Sequence, residues 1–336
     1  MSTPQPPDES SIDRRRFLKL GATAGFGLVA GQVGAESEAA VAKAKQTASK
    51  TTMPTRNLGR TGHRVGIFSL GGQGAIEQPE SAAIAVPIVE RAIDLGVNYI
   101  DTAARYGGSE RWSQRYIGEV MARRRKEVFL ASKTHDRTAS GSRRLLEESF
   151  RLLRTDHLDL WQIHNLERME EVDQIFAKGG AIEALQKARE EKLVRFLGVT
   201  GHADPAVLME ALKRFEFDTI LMALNAADPH HLSFAAALLP MAVEKKMGII
   251  GMKIPARGRL LTPEAKGGAI SMRDAMDYVL SLPVSTVIVG CDSVAQLEEN
   301  VGLAHLFNPM TAEQMAALAE RAQPIHREAL FFRRWT

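Results

Sequence analysis

Residues 128–164 read VFLASKTHDRTASGSRRLLEESFRLLRTDHLDLWQIH. The stretch opens with a β-type apolar run at Val128–Lys133. An amphipathic segment follows at Gly141–Leu153, then a second β-type run at Leu158–His164. A strand, a helix of about 10–15 residues and another strand predict a parallel βαβ unit. The same alternation extends in both directions. Further β-type runs lie at Val65–Leu70, Val97–Asp101, Val194–Thr200, Thr219–Leu224, Gly248–Lys253 and Thr286–Gly290. Amphipathic segments lie at Ala82–Leu95, Ser109–Arg124, Ile182–Glu191, Pro205–Phe215, Ser233–Lys246, Met272–Ser281 and Ala295–Leu306. Eight such units over about 250 residues predict an α/β fold of the TIM type, a closed parallel (β/α)8 barrel. Strands this uniformly apolar fit burial on both faces. Ahead of them, Arg56–Gly59 and Thr61–His63 predict a short hairpin that plugs the barrel's N-terminal end. The tail after Thr311 is helical, then basic and aromatic through Phe331, Phe332, Arg333, Arg334 and Trp335.

Composition narrows the function. Of 336 residues, 45% are hydrophobic and 25% charged, which excludes wholesale disorder. A net charge of +3 is too small and too evenly spread for nucleic acid to be the main partner. The single cysteine, Cys291, excludes an intrachain disulfide framework and any paired-cysteine zinc site. No metal is expected, since the adjacent His230 and His231 would point apart on a helix. Nothing in the sequence sets an oligomeric state, and a monomer suffices.

Residues 13–19 read Asp-Arg-Arg-Arg-Phe-Leu-Lys, and a mildly apolar run follows from Leu20 to Gly31. A polar start, an arginine pair and a short apolar stretch make a signal peptide. The segment resembles a twin-arginine (Tat) export signal with Arg14 and Arg15 as its pair. Val33–Ala35 supplies small residues for cleavage. The apolar run is shorter than the roughly 20 residues of a stable membrane span. Gly25 to Gly27 follows basic residues rather than a strand, so it is not a dinucleotide fingerprint. The expected layout is a signal at 1–35, a flexible linker at 36–52 and the barrel at 53–336. The Tat machinery is then a partner, and the expected location is the periplasm or another extracytoplasmic space. The protein stays cytoplasmic if the signal is not used.

Barrels of this kind place their chemistry at the C-terminal ends of the strands. The second predicted strand ends at Asp101, with Tyr106 just beyond. The third ends at Lys133 and the fourth at His164. Four ionisable side chains from three consecutive strand ends converge on one mouth. A cation beside a phenol stabilises phenolate and so loosens the proton of Tyr106. The phenol can then act as a general acid toward a substrate oxygen, with a histidine opposite to orient the carbonyl.

The stretch Asn98–Glu110 resembles the aldo-keto reductase signature, as do Leu130–Lys133, Asp159–Asn165 and Gly290 through Asn300. The resemblance runs from about Arg56 to Asn300. It implies a nicotinamide dinucleotide across the mouth and reversible reduction of an aldehyde, ketone or sugar-type carbonyl. It also implies Asp101, Tyr106, Lys133 and His164 as a catalytic tetrad, with Tyr106 as proton donor. The cofactor contacts it implies are Gly72, Gln73, Asp101, Thr200, Met252, Lys253, Arg257, Gly258, Arg259, Gly290, Ser293, Gln296, Glu299 and Asn300. Gly71–Gly74 allow close backbone approach. Lys253, Arg257 and Arg259 suit a pyrophosphate.

Four positions depart from the family pattern. Thr200-Gly201-His202 replaces the usual Ser-Asn after the fifth strand. Leu221 or Met222 replaces a glutamine, and Met252 replaces an aromatic that stacks on nicotinamide. Residues 290–302 hold no Lys or Arg, and Asp292 sits where many relatives place arginine. An acid there suits a ribose 2′-hydroxyl, whereas family habit favours a 2′-phosphate. The balance leans slightly to NADP(H) over NAD(H). Arg105, Trp112, His135, Asn165 and His202 are the candidates for lining the substrate pocket. Two rival readings remain open at this point. One is an export-targeted sugar oxidoreductase that retains its cofactor. The other is a nicotinamide-binding regulatory protein with negligible turnover.

Overall fold

A computed structural model of the chain describes residues 53–261 and 270–335. The signal and linker readings at 1–52 lie outside the described residues, as does the stretch 262–269. Eight parallel strands close a barrel in chain order, and the last pairs with the first. They are β3 (Phe68–Gly74), β4 (Tyr99–Asp101), β5 (Phe129–Thr134), β6 (Leu158–Ile163), β7 (Val194–Gly201), β8 (Thr219–Ala223), β9 (Gly248–Met252) and β10 (Thr286–Cys291). Every residue of β5, β6, β8 and β9 is buried, which is why these runs are apolar throughout.

Helices alternate with the strands as α1 (Ala82–Asp94), α2 (Trp112–Arg124), α3 (Ala139–Leu153), α4 (Met169–Phe176), α5 (Ala181–Glu190), α6 (Pro205–Arg214), α7 (Phe234–Glu244), α8 (Met272–Ser281) and α9 (Val294–His305). Their starts are written in the sequence. Thr138 accepts from the Gly141 N–H at 3.1 Å and begins α3 two residues ahead of the periodic pattern. Asp204 caps α6, with Pro205 at its first turn, where the missing N–H costs nothing. No helix among the described residues is long and apolar enough to cross a membrane.

Four elements differ from the sequence expectation. The run Val65–Leu70 divides at Ile67. Its first half pairs with β1 (Thr55–Asn57) as the antiparallel strand β2 (Arg64–Gly66), and its second half opens the barrel. The stretch Gly71–Gly74, expected as a loop, is the end of β3 itself. The segment Ser109–Arg124 breaks at Arg111, whose φ is +52°, so a short 3-10 turn precedes α2. Finally, α4 was not anticipated. Its Glu171 side chain accepts from the Glu167 N–H at 2.8 Å and the Arg168 N–H at 3.1 Å, which steadies a helix too short to show a clear period.

The hairpin covers the N-terminal end of the barrel, as expected. Leu58 is fully buried there, and the Arg60 N–H donates to the Lys246 carbonyl at 3.1 Å. Gly59 is required at the tip. Its φ is +52°, and a Cβ would sit 2.1 Å from the Gly248 nitrogen.

At the other end, α10 (Ala312–Ala322) and α11 (His326–Ala329) lead the tail back across the mouth. The Arg333 guanidinium is buried. It pairs with Asp228, donates to the carbonyls of His202 at 2.7 Å and Ala223 at 3.2 Å, and lies 3.8 Å over the Phe234 ring. Trp335 stacks on His231 at 3.9 Å.

Candidate active site

Alternate residues of a barrel strand face inward, and this pleat sends Asp101, Lys133 and Gln162 from β4, β5 and β6 into the barrel. The Lys133 ammonium forms an ion pair with Asp101. It also donates to the Thr102 carbonyl at 2.8 Å and to the Tyr106 Oη at 3.4 Å. An ammonium has three protons to donate, so Lys133 is fully used. Because Tyr106 Oη accepts from Lys133, its own O–H is left to donate elsewhere. Gln162 Nε2 supports the other Asp101 oxygen at 3.3 Å.

His164 stands edge-on to Tyr106, with ring centroids 5.7 Å apart and planes at 82°. Its N–H donates to the Thr134 carbonyl at 2.7 Å, so β5 fixes its height. The Nδ1 atom is buried with no partner among the described residues, which leaves Nε2 as the nitrogen to meet a ligand. Arg137 steadies this strand end from outside. It donates to the carbonyls of His164 at 2.9 Å and Asn165 at 3.0 Å and pairs with Glu171 at 3.0 Å.

Protonation follows from burial. Desolvation by the barrel raises the Tyr106 phenol well above the usual tyrosine range, and Asp101 and Glu77 push it the same way. The sequence expectation of a loosened phenol proton is therefore corrected: desolvation outweighs the neighbouring ammonium, and Tyr106 is a neutral donor. Burial, then the cations Lys133 and Arg137 and the other histidines, holds His164 well below its ordinary value, so it is a neutral imidazole. Burial raises Asp101 and lowers Lys133, and each opposes the other's shift.

These groups open onto a cavity of about 290 Å³. Tyr106, Lys133, His164, Asn165, Thr200 and His202 line it together with Gln73, Glu77, Arg105, Leu221, Met252, Lys253 and Arg257. Lys253 donates to Gln73 Oε1 at 3.4 Å, and Gln73 Nε2 bonds Glu77 at 3.2 Å. Burial, then Arg257, lowers the Lys253 ammonium to about 8. Thr200 Oγ1 accepts from the Asn165 N–H at 2.8 Å. Burial, then Lys253, lowers His202 to about 4; its ring meets Phe332 of the tail. A more open groove of about 800 Å³ lies at the hairpin end, around Arg56, Met247, Leu280 and Phe307, far from the acid–base set.

The remaining candidates fall elsewhere. Trp112 stacks on Tyr116 at 5.7 Å and does not line the cavity. His135 is half-buried behind the wall, with Nδ1 unpartnered among the described residues. Gly72 is needed for close packing, since a Cβ there would lie 2.5 Å from Ser113 Oγ and 2.7 Å from the Asp101 carbonyl. Arg259 lies 3.9 Å over the Phe331 ring of the tail. Gly258 has φ +87° and open space where a Cβ would point. Gly290 is exposed at the end of β10. Ser293 caps α9, and Gln296 accepts from the Asp292 N–H at 2.6 Å. Glu299 is exposed, whereas Asn300 is buried and donates to Cys291 Sγ at 3.6 Å. The Cys291 thiol is pushed up to about 12 by burial, as suits a packing residue.

A nicotinamide dinucleotide fits this donor set. Lys253 and Arg257 line the cavity with no carboxylate at ion-pair distance among the described residues, although Glu77 lines the same cavity, and both cations suit a phosphate. Gly258, with open space where a Cβ would point, leaves room for close approach. Sequence reading did not single out Gln162, Glu77 or Arg137. Gln162 alone left a signal, a polar residue at an inward position of an otherwise apolar strand.

The chain is 29% identical over 288 residues to L-galactose dehydrogenase of Arabidopsis thaliana, covering 75% of this chain and 88% of that protein. It is 27% identical over 240 residues to 6-dehydroglucose reductase of Novosphingobium aromaticivorans, covering 67% of this chain and 76% of that protein. The fold matches the holo form of aldo-keto reductase AKR11C1 from Bacillus halodurans with a TM-score of 0.67 at 24% identity, over 80% of this chain and 96% of that one. Residues 64–276 match the family model "Aldo/keto reductase family". The chain therefore belongs to the aldo/keto reductase family of NAD(P)H-dependent oxidoreductases.

Proposed function

We propose that this enzyme reversibly reduces an aldehyde, ketone or sugar-type carbonyl, with Tyr106 as general acid assisted by Lys133, Asp101 and His164. The observation that carries the reading is the arrangement of protons at Tyr106. Lys133 donates to the phenol oxygen, so the phenol proton points away and is available to a substrate oxygen. When bound, reduced nicotinamide supplies the hydride for the carbonyl carbon. His164 holds the carbonyl oxygen in line with its single N–H. As negative charge develops on that oxygen, Tyr106 delivers its proton. Lys133 then stabilises the phenolate left behind, a state it favours far more than the neutral phenol. Asp101 and the Thr102 carbonyl keep the ammonium in place throughout. In the oxidative direction the same phenolate takes the alcohol proton back.

Met252 and Thr200 would pack against and bond the nicotinamide, and Lys253 and Arg257 would hold the phosphates, a reading supported by their shared cavity. NADP(H) is favoured slightly over NAD(H). The named relatives that act on sugars support a sugar-type carbonyl as substrate. The test is Tyr106→Phe, assayed with NADPH and with NADH. Turnover falls by about 10²–10⁴-fold, while cofactor binding persists. Near-normal activity refutes the mechanism, and a tenfold preference for NADH refutes the cofactor assignment. We also propose export by the twin-arginine route, on the strength of Arg14 and Arg15. Replacing both by lysine retains the protein in the cytoplasmic fraction; a wild-type protein found only there refutes export.

A further inference from the structure

Arg105 is the one cavity-lining cation that neither the tetrad nor a cofactor contact accounts for. It directly precedes Tyr106 in the turn after β4, and its chain is exposed. Among the described residues it has no carboxylate at ion-pair distance.

The cavity has two sides. Gln73, Glu77, Met252, Lys253 and Arg257 come from the ends of β3 and β9 and form the side suited to the dinucleotide. Arg105, His164 and Asn165 come from the ends of β4 and β6 and form the other. On this second side the carboxylates around the ends of β5 and β6 have other partners. Asp136 accepts from the Thr138 N–H at 2.8 Å and its hydroxyl at 2.6 Å. Glu171 pairs with Arg137, Glu148 pairs with Arg151, and Glu167 accepts from Asn165 Nδ2 at 2.5 Å. Burial, then the cations Arg105, Arg111 and Arg137, lowers the His135 imidazole, so it adds no positive charge that would compete with Arg105 for an anion. The Arg105 guanidinium thus has no ion-pair partner among the described residues, and it is the group best shaped to grip a carboxylate or phosphate by two parallel bonds.

We propose that the substrate is a small carbonyl compound bearing a carboxylate or phosphate, and that Arg105 binds this anion while the carbonyl lies between Tyr106 and His164. The inference rests on the assignment of Tyr106 as the acid. The cavity volume of about 290 Å³ restricts the substrate to a short chain. Arg105 is then the residue that sets specificity between charged and neutral carbonyls.

The test uses matched pairs on the full chain at saturating cofactor: 4-oxobutanoate against butanal, and glyceraldehyde 3-phosphate against glyceraldehyde. The wild type prefers the anionic member of at least one pair by tenfold or more in kcat/KM, and the preferred pair identifies the anion. Arg105→Gln lowers that ratio at least tenfold, mainly through KM, and Arg105→Lys restores part of it. A wild type with no preference in either pair, or an unchanged ratio in Arg105→Gln, overturns the proposal. If no carbonyl turns over, the general function fails instead. Calorimetric binding of 4-oxobutanoate and of glyceraldehyde 3-phosphate then decides the subsite on its own: tenfold weakening of either in Arg105→Gln supports it, and equal affinity for both overturns it.

Discussion

Two aspartates on this barrel occupy opposite ends and opposite electrostatic situations. Asp159 lies at the start of β6, near the hairpin end. It accepts from Arg125 at 2.8 Å, from Arg195 at 2.8 Å and from the Leu130 N–H at 2.9 Å. Burial alone would raise its carboxyl, but Arg125, the Leu130 N–H and Arg195 together hold it below the usual carboxylate range. Asp101 lies at the end of β4, at the mouth. Its partners are Lys133 and Gln162, and burial outweighs them, so its carboxyl is raised. Both sit in the same apolar wall. The saturated one ties strands together, and the under-satisfied one keeps its surroundings poised for charge to move. Perturbed groups that fall short of full satisfaction gather where chemistry occurs.

The largest expected effect tests the mouth. Among the described residues Lys133 is the cation that touches the Tyr106 phenol; Lys133→Met removes it, and turnover falls by about 10³-fold or more. Asp101 is then left buried without its ion-pair partner, so some stability is lost too. The readout is single-turnover reduction followed at the nicotinamide absorbance, with the melting temperature measured in parallel. The next effect tests the base. Asp159→Ala leaves Arg125 and Arg195 without their shared carboxylate and costs about 3–5 kcal/mol of stability. Calorimetric melting shows this as a drop of several degrees, with kcat within about twofold of wild type where the protein remains folded. An Asp159 variant that melts normally but fails to turn over would erase the distinction between the two ends. The pH dependence follows the same logic. The folded Asp159 carboxyl ionises more easily than the unfolded one. Its stabilisation is therefore present above the unfolded pKa of about 3.9 and is lost as pH falls through the lower folded value.

Asp159 and Asp101 also show how far sequence reading reaches. The barrel was legible because each strand is an apolar run and each helix an amphipathic one, and because local pattern dictates both. The convergence of Asp101, Tyr106, Lys133 and His164 was legible because strand ends locate the mouth. The division of Val65–Leu70 between hairpin and barrel was not, since both halves are buried β-structure with the same local signal. Nor was the raised phenol of Tyr106, because its burial is set by residues distant in the chain. Gln162 holds Asp101 across 61 positions, and Arg333 anchors the tail to Asp228 across 105. Partnerships at such separations leave no periodicity to read.

Lys253 gives the subtlest test, because it extends the contrast from carboxylates to ammoniums. Lys133 has an ionised partner, whereas among the described residues Lys253 has the Gln73 amide at 3.4 Å and no carboxylate at ion-pair distance. Burial therefore lowers Lys253 to about 8 in the folded chain, against about 10.4 when unfolded. Between those values the unfolded chain binds a proton that the folded one does not, so stability rises with pH across that window. Below about pH 8 the folded ammonium is charged and lacks an anion, and a bound pyrophosphate supplies one. Nucleotide binding then raises the Lys253 pKa and takes up a proton near pH 8.5. Above that value the charge is lost and affinity weakens, by about tenfold between pH 7 and pH 9.5 if one charged contact of about 1.4 kcal/mol disappears. Lys253→Arg keeps its charge throughout this range and flattens the profile. Titrating nucleotide fluorescence from pH 6.5 to 9.5 measures both curves. A flat wild-type curve, or equal slopes in wild type and variant, removes Lys253 from the phosphate site and leaves Arg257 as the cation that faces the cofactor.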